Sequence, residues 1–147
     1  MKSNLENLYR AVIMDHYKNP RNKGLKGYPH IHLKNPSCGD DITIEALVKD
    51  GKVLEVRHEG KGCSICCSSA SVLTEVIKGK SVDEAKEIIE NYFSMMKGEE
   101  IDDDRLEEAL VYEGVSQFPA RIKCATISWK ALERLLNGEE DEWKRKE

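Results

Sequence analysis

The sequence predicts an α+β domain, a small antiparallel sheet of two to three strands packed by about four to five helices. Three observations predict this fold. A stretch with an apolar residue at every second position is divided by the turn dipeptide Asp50-Gly51. Stretches with apolar residues at helical spacing precede and follow it. Cysteines flanked by glycines stand at both open ends of the predicted hairpin.

Composition narrows the possible classes of function. The chain has 147 residues and is predicted to form a single domain over 1–147. Its net charge of -4 argues against general affinity for nucleic acid. The sequence contains no apolar run of transmembrane length and no signal-peptide pattern at its start, so we expect a cytoplasmic protein without membrane contact. Five cysteines are an odd number, which in a reducing compartment favours metal binding or reactive thiols over disulfides.

The first predicted element is an amphipathic helix that ends at Lys18 or Asn19, before Pro20. Its apolar stripe is formed by Leu5, Leu8, Tyr9, Val12, Ile13 and His16. We interpret His16 as a packed or hydrogen-bonded residue rather than a metal ligand. The following residues, 19–24, have turn chemistry and are predicted to form a basic loop.

The hairpin is predicted from the alternation that begins at Ile42. One face of the first strand should carry Ile42, Ile44, Ala46 and Val48. The return strand should present Leu54, Val56 and His58 on one side. A short extended run at 31–33 would add a third strand.

A hairpin brings its open ends together, and this geometry predicts a site. Cys38 and Asp40 precede the first strand, and Cys63 follows the second, so the three should be neighbours. Adjacent glycines would let the backbone bend sharply and approach a bound ion: Gly39, Gly60 and Gly62.

The next predicted helix covers the serine-rich stretch that starts after Cys63 and ends before Gly79. Cys66 falls in its buried stripe together with Ala70, Leu73 and Ile77. Cys66 is therefore interpreted as a core residue, because free cysteine behaves as a small hydrophobe. The sequence leaves the role of Cys67 open.

Capping signals predict the remaining helices. Ser81 begins a capping box, and Gly98 should end the helix that follows it. The acidic run 102–104 suits the start of another helix, where carboxylates meet the positive end of the helix dipole. Pro119 is predicted in the first turn of a last helix closed by Gly138.

Cys124 lies in the first turns of this last helix. It is predicted to stand off the apolar stripe, which is formed by Ile122, Ala125, Trp129, Leu132 and Leu136. Arg121 and Lys123 stand beside it. Free N–H groups and neighbouring cations favour thiolate over thiol, so we expect Cys124 to be more nucleophilic than an ordinary cysteine.

Two arrangements of cysteines could carry chemistry. Cys63 and Cys66 form a C-x-x-C pair, which suggests a redox dithiol or half of a zinc knuckle. An antiparallel hairpin does not fit a thioredoxin fold, and the sequence has no second C-x-x-C. The other set is Cys38, Asp40, Cys63 and Cys124, which could bind zinc tetrahedrally, iron, or an iron-sulfur cluster at one end of the sheet.

Three motifs carry a family resemblance. Residues 35–41 around Cys38, the Gly-Cys-Ser of 62–64 before a serine-rich helix, and Ile-Lys-Cys at 122–124 resemble the IscU/SufU family of iron-sulfur cluster assembly proteins, the NifU N-terminal-like proteins. Residues 13–22 resemble the SufU branch. Lys123 stands where the IscU branch carries a histidine.

The resemblance implies a scaffold or sulfur-acceptor protein rather than an enzyme. Cys38, Asp40, Cys63 and Cys124 would hold a zinc ion, iron or an iron-sulfur cluster, with 2Fe-2S as the expected cluster. A cysteine desulfurase of the SufS or IscS type would supply sulfur, and iron-sulfur acceptor proteins or a SufBCD-like complex would receive the product. Cys38 and Cys124 are the candidate persulfide acceptors, Cys38 first because it lies on a flexible loop.

Three other functions remain open at this point. The first alternative is a zinc-dependent sulfurtransferase, in which the desulfurase replaces one zinc ligand and the freed cysteine carries the persulfide. A structural zinc domain is a weaker alternative, because structural sites are usually closed cages of Cys and His. A thiol redox protein is the weakest alternative.

Overall fold

The computed structural model describes residues 2–139, with side chains from residue 6 onward. Residues 1 and 140–147 of the predicted single domain lie outside this part. The described elements are α1 (Lys2–Lys18), β1 (His30–Asn35), β2 (Asp40–Lys49), β3 (Lys52–Lys61), α2 (Ser64–Ile77), α3 (Val82–Met96), a 3₁₀ helix (Asp104–Gln117) and α4 (Pro119–Leu136). The predicted α+β class is therefore confirmed. None of the described helices is both long and apolar enough to span a membrane.

The sheet is antiparallel throughout, with the strand order β1-β2-β3. Asn35 pairs with Asp40, and Asp41 pairs with Lys61. The end of β1, the start of β2 and the end of β3 therefore share one edge. The loop that carries Cys38 and the segment that carries Cys63 leave the sheet at that edge.

The predicted inward face of the hairpin is correct near this edge and wrong beyond Ala46. Val48 is 43% exposed and Leu54 is 39% exposed, whereas Val53 is fully buried. The pairing shifts between Leu47 and Val48. The extra residue is Leu54 on β3, because Glu55 pairs with Leu47 and Val53 with Val48. Val53 rather than Leu54 therefore takes the inward face, and the alternation in the sequence does not reveal this change.

Glu45 is buried although it does not belong to the apolar face of β2. The alternation places it on the face opposite Ile44 and Ala46, yet it is only 1% exposed. Its carboxylate accepts hydrogen bonds from the backbone N–H groups of Lys26, Gly27 and Tyr28, at 2.7, 2.8 and 3.1 Å. These bonds offset the cost of burying the carboxylate and fix the loop between α1 and β1 against the sheet.

The helices form a core in which α2 contacts α1, α4, β3 and the 3₁₀ helix. A buried polar network joins α2, α3 and α4. Ser69 Oγ and Tyr92 Oη each donate to the carbonyl oxygen of Ala125 at 2.7 Å, and Trp129 Nε1 donates to Ser69 Oγ at 2.9 Å. The rings of Tyr92 and Trp129 stack with their centroids 3.8 Å apart. Burial raises the pKa of Tyr92, so its hydroxyl remains a donor.

The predicted helix starts agree with the structure. Ser81 Oγ accepts from the Glu84 N–H at 3.1 Å and caps α3, and α4 begins at Pro119. The acidic run caps the 3₁₀ helix, where Asp103 accepts from the Arg105 N–H at 3.0 Å. That helix is interrupted at Glu107, whose φ and ψ are 48° and -123°.

Candidate metal centre

Cys124 is positioned by α4, which lies against the sheet and against α2 and α3. Cys124 is predicted to stand off the apolar stripe of α4, and in the structure it is nevertheless fully buried. Every residue of 124–129 is buried. This middle part of α4 is enclosed on most sides, so a single apolar stripe does not describe it. The Cys124 thiol therefore faces the interior at the edge of the sheet.

The ligand atoms of Cys38, Asp40 and Cys124 lie within 4.8 Å of one another. Two thiolates bound to one zinc ion at about 2.3 Å are roughly 3.8 Å apart in tetrahedral geometry, so this spacing fits a single ion. Asp40 is 2% exposed, and Cys38 is partly buried. A loop, a strand and a helix thus bring three of the four predicted ligands together.

Cys63 is adjacent to these three residues but outside the 4.8 Å set. Its thiol caps α2 by accepting from the Cys66 N–H at 3.5 Å. It is also close enough to the Cys124 thiol for a hydrogen bond that contributes to the pKa of Cys124. All four predicted ligands are therefore at the same end of the sheet, while their roles as ligands stay predictions.

The Asp40 carboxylate is oriented by both of its oxygens. Oδ1 accepts from the Cys63 N–H at 3.2 Å, and Oδ2 faces the Asn35 amide at 3.4 Å. The close approach requires Gly62, because a Cβ there would lie 2.5 Å from Asp40 Oδ1. At Gly60, where φ is +142°, a Cβ would lie 2.0 Å from the carbonyl oxygen of Asp41. Gly60 and Gly62 therefore permit close packing at the site, whereas a Cβ at Gly39 would meet nothing within 4 Å.

The expectation of a readily ionised Cys124 is wrong. Burial raises the pKa of the Cys124 thiol, and hydrogen bonds with Asp40, Cys38 and Cys63 raise it further. Arg121 and Lys123 are exposed and do not offset this effect. A cation bonded to sulfur is the partner that would favour the thiolate here, so the donor set fits a thiophilic metal ion.

Cys66 and Cys67 form a separate pair behind the site. Cys66 is fully buried, which confirms its interpretation as a core residue. A hydrogen bond between the two thiols raises the pKa of Cys66 and lowers that of Cys67 to about 7. The Cys67 thiol also donates to the carbonyl oxygen of Gly62 at 3.6 Å. The helical pattern left Cys67 unplaced, because its surroundings come from the loop before α2.

Comparison with known proteins agrees with this geometry. The profile of the NifU-like N-terminal domain family matches residues 8–125. A Bacillus subtilis protein named zinc-dependent sulfurtransferase SufU is 50% identical over 141 residues, which are 94% of this chain and 95% of that protein. A Streptococcus pyogenes protein named iron-sulfur cluster assembly scaffold protein IscU is 38% identical over 136 residues, which are 91% and 86% of the two chains.

A solved structure extends the likeness to three dimensions. It is a Fervidobacterium islandicum protein whose description assigns it provisionally as an iron-sulfur cluster assembly scaffold protein for the SUF system. The TM-score is 0.77 at 36% identity, and the match covers 85% of this chain and 93% of that one.

Proposed function

The chain belongs to the family of NifU-like N-terminal domains, and on that basis we propose that it receives sulfur from a cysteine desulfurase for iron-sulfur cluster assembly. One observation carries this function. Cys124 meets Cys38 and Asp40 within 4.8 Å although it lies far from them in the sequence, and Cys63 lies beside them. Three thiols with one carboxylate form a donor set for zinc, for iron or for an iron-sulfur cluster.

The version that we favour is sulfur transfer on a zinc-binding protein. The relative that shares 50% identity over almost its whole length is named a zinc-dependent sulfurtransferase. A bound zinc ion would hold thiols as thiolates at neutral pH. Cys38 is the acceptor in this version, because it is partly exposed on the loop between β1 and β2 while Cys124 is fully buried.

The proposed transfer of sulfur needs no reactant besides the desulfurase persulfide and the Cys38 thiolate. The Cys38 thiolate attacks the terminal sulfur of the desulfurase persulfide. A sulfur-sulfur bond forms at Cys38 while the corresponding bond in the desulfurase breaks, and the desulfurase cysteine leaves as a thiolate. No net oxidation or reduction occurs, because one bond between sulfurs replaces another.

The second candidate function is a scaffold on which a cluster is built and released. Asp40 favours it, because a carboxylate is a harder and poorer partner for cluster iron than a thiolate. One corner of a bound cluster, 2Fe-2S in this version, would then be labile. The relatives named as scaffolds support the same candidate.

Mass spectrometry after reaction with a cysteine desulfurase and cysteine tests the two candidates. A persulfide on Cys38 with zinc retained supports transfer, whereas iron and acid-labile sulfide in equal amounts in protein purified without oxygen support assembly. Cys38→Ser should remove the persulfide in the transfer version. Cys67→Ser is the matched control, since it removes a nearby thiol that is not among the proposed ligands. Neither a persulfide nor bound iron would contradict both candidates.

Partners and compartment follow from the same chemistry. The desulfurase would be of the SufS or IscS type, and the sulfur or cluster would pass to iron-sulfur acceptor proteins or to a SufBCD-like complex. We place the protein in the cytoplasm, where thiols remain reduced.

A further inference from the structure

A second group of metal-ligating side chains lies outside the cysteine centre, where α1, α2 and the 3₁₀ helix meet. It consists of His16, Glu75 and Glu108, whose ligand atoms lie within 4.8 Å of one another. We propose that these residues bind a divalent first-row transition metal ion such as manganese(II) or iron(II). This site is independent of the proposed sulfur transfer.

His16 is fixed in the orientation that a metal-bound histidine adopts. Its ring is fully buried, which confirms the prediction of a packed or hydrogen-bonded residue. The proposal that it is also a ligand goes against our interpretation of His16 from the sequence. Nδ1 lies 2.8 Å from Ser71 Oγ, which also accepts from the Arg21 backbone N–H at 2.8 Å. Nε2 lies 3.0 Å from Glu108 Oε1. Metal-bound histidines usually have one ring nitrogen held by a protein group while the other is directed at the ion.

The carboxylates around His16 offer more acceptors than the described donors satisfy. A neutral imidazole has a single N–H, so Nε2 can donate to one carboxylate at a time. Glu108 Oε1 lies within hydrogen-bond distance of Nε2, at 3.0 Å. Among the described residues, the nearest charged partners of Glu75 are His16 Nε2 and Arg21 Nε, each at 3.9 Å, beyond a direct hydrogen bond. The side chain of Arg21 has a closer partner in Asp15, at 2.6 Å.

Space for an ion and its water ligands is present beside the two carboxylates. A cavity of about 280 Å³ is lined by Val72, Glu75, Val76, Glu107 and Glu108. The side chains of Glu75 and Glu108 are 47% and 50% exposed, so the ion can reach them from solvent. Two carboxylates and one imidazole would supply three ligands, and water would supply the others.

The donor atoms determine which metal is expected. Imidazole and carboxylate suit manganese(II), iron(II) and zinc, whereas thiolates select zinc, copper(I) and iron-sulfur clusters. Manganese(II) is therefore a selective probe, because the cysteine centre disfavours it. Loading the protein beforehand with one equivalent of zinc per chain separates the two sites further, because the thiolates take up zinc in preference to imidazole and carboxylate.

Manganese(II) titration of the full-length zinc-loaded protein, followed by the electron paramagnetic resonance signal of the free ion, tests this site. We expect one saturable manganese site per chain. Glu75→Gln and Glu108→Gln should each weaken binding about tenfold or more, because each removes an anionic ligand. Glu107→Gln is the matched control, since it neutralises a carboxylate that lines the same cavity, and it should change the affinity less than about twofold. Arg21→Gln should strengthen binding, because it removes the cation closest to Glu75.

Absence of saturable binding overturns the proposal. Equal weakening by Glu107→Gln and Glu108→Gln also overturns it, because that result would indicate a diffuse acidic surface. The glutamate side chains are half-exposed, so these variants should fold, and circular dichroism verifies this. The titration needs no desulfurase and follows an ion that the cysteine centre disfavours, so its failure leaves the sulfur-transfer function unaffected.

Discussion

Cys124 and Cys38 are predicted to bind the same metal ion, but the structure holds them in different ways. Cys124 precedes Ala125, whose carbonyl oxygen accepts two buried hydrogen bonds, one from Ser69 of α2 and one from Tyr92 of α3. Cys38 lies in the exposed loop 36–39, where its N–H donates to the Asn35 carbonyl at 3.1 Å. One side of the site is thus a buried segment of α4, and the other is a short loop.

This difference suggests a division of labour between the ligands. A ligand on a packed helix retains its position when the partner across the site changes, because moving it would disturb the core. A ligand on an exposed loop can leave and return at lower free-energy cost. The loop cysteine is therefore the one suited to exchange, in agreement with its proposed role as sulfur acceptor.

The largest effect on stability is expected from removing a side chain that holds this segment of α4 in place. Trp129→Ala removes the ring stacked on Tyr92 and the N–H that Ser69 accepts, and it should lower the free energy of unfolding by about 3–5 kcal/mol. Urea unfolding of the metal-free protein measures this loss. Trp129→Phe retains an aromatic ring and should lose less. If both variants unfold at the wild-type urea concentration, α4 is not held by this network.

The next largest effect is expected where the strands meet the site. Gly60→Ala places a Cβ 2.0 Å from the Asp41 carbonyl oxygen, so β2 and β3 must separate locally and displace Cys63. We expect a loss of about 3 kcal/mol in unfolding free energy and a weaker zinc affinity, measured by competition with a chelator.

Gly51→Ala is the matched control at the opposite end of the same hairpin. Its φ is +74° and its Cβ would meet nothing within 4 Å, so only backbone strain of about 1 kcal/mol is expected, with zinc affinity unchanged. Equal zinc affinities of the Gly60→Ala and Gly51→Ala proteins would show that the close approach at Gly60 does not shape the site.

The sequence was sufficient to predict the loop side of the site, because a hairpin joins positions through a short local turn. The convergence of Cys38 and Asp40 with the segment before α2 follows from the period-two pattern and the Asp50-Gly51 turn. The buried environment of Cys124 on α4 could not be predicted in this way. The burial of Cys124 depends on which elements enclose α4, and that is determined by tertiary packing rather than by local spacing.

The same reasoning explains the other errors. Leu54 is exposed because it is the residue without a partner at a single irregularity in pairing, which turns Val53 inward in its place. The raised pKa of Cys124 arises from desolvation, which no count of neighbouring charges in the sequence can show. Glu45 is buried because three backbone N–H groups of a distant loop converge on it. Each error arises from long-range contacts.

Asp40 connects the loop to the strands, and its replacement should have a moderate effect on the rate at which a bound cluster is released. Asp40→Ala leaves a site with thiol ligands only, so a bound cluster should lose its labile corner. Transfer of the cluster to an acceptor apoprotein should slow about fivefold, which corresponds to roughly 1 kcal/mol. Asp41→Ala, which alters the adjacent carboxylate paired with His32, is the control and should transfer at the wild-type rate. A wild-type rate for Asp40→Ala would mean that the carboxylate does not control release.

The smallest effect is expected from loosening the loop without touching a ligand. Ser37 Oγ donates to Asn35 Oδ1 at 2.8 Å, and the Asn35 amide faces Asp40, so this bond connects the loop to the start of β2. Ser37→Ala should lower the unfolding free energy by only about 0.5 kcal/mol, because the bond is partly buried and water can replace the Ser37 hydroxyl. Alkylation of the metal-free protein, mapped by mass spectrometry, should nevertheless be faster at Cys38 and unchanged at Cys124. Faster alkylation at both cysteines would mean that the loop and α4 move together. The contrast between a mobile Cys38 and a fixed Cys124 would then be wrong.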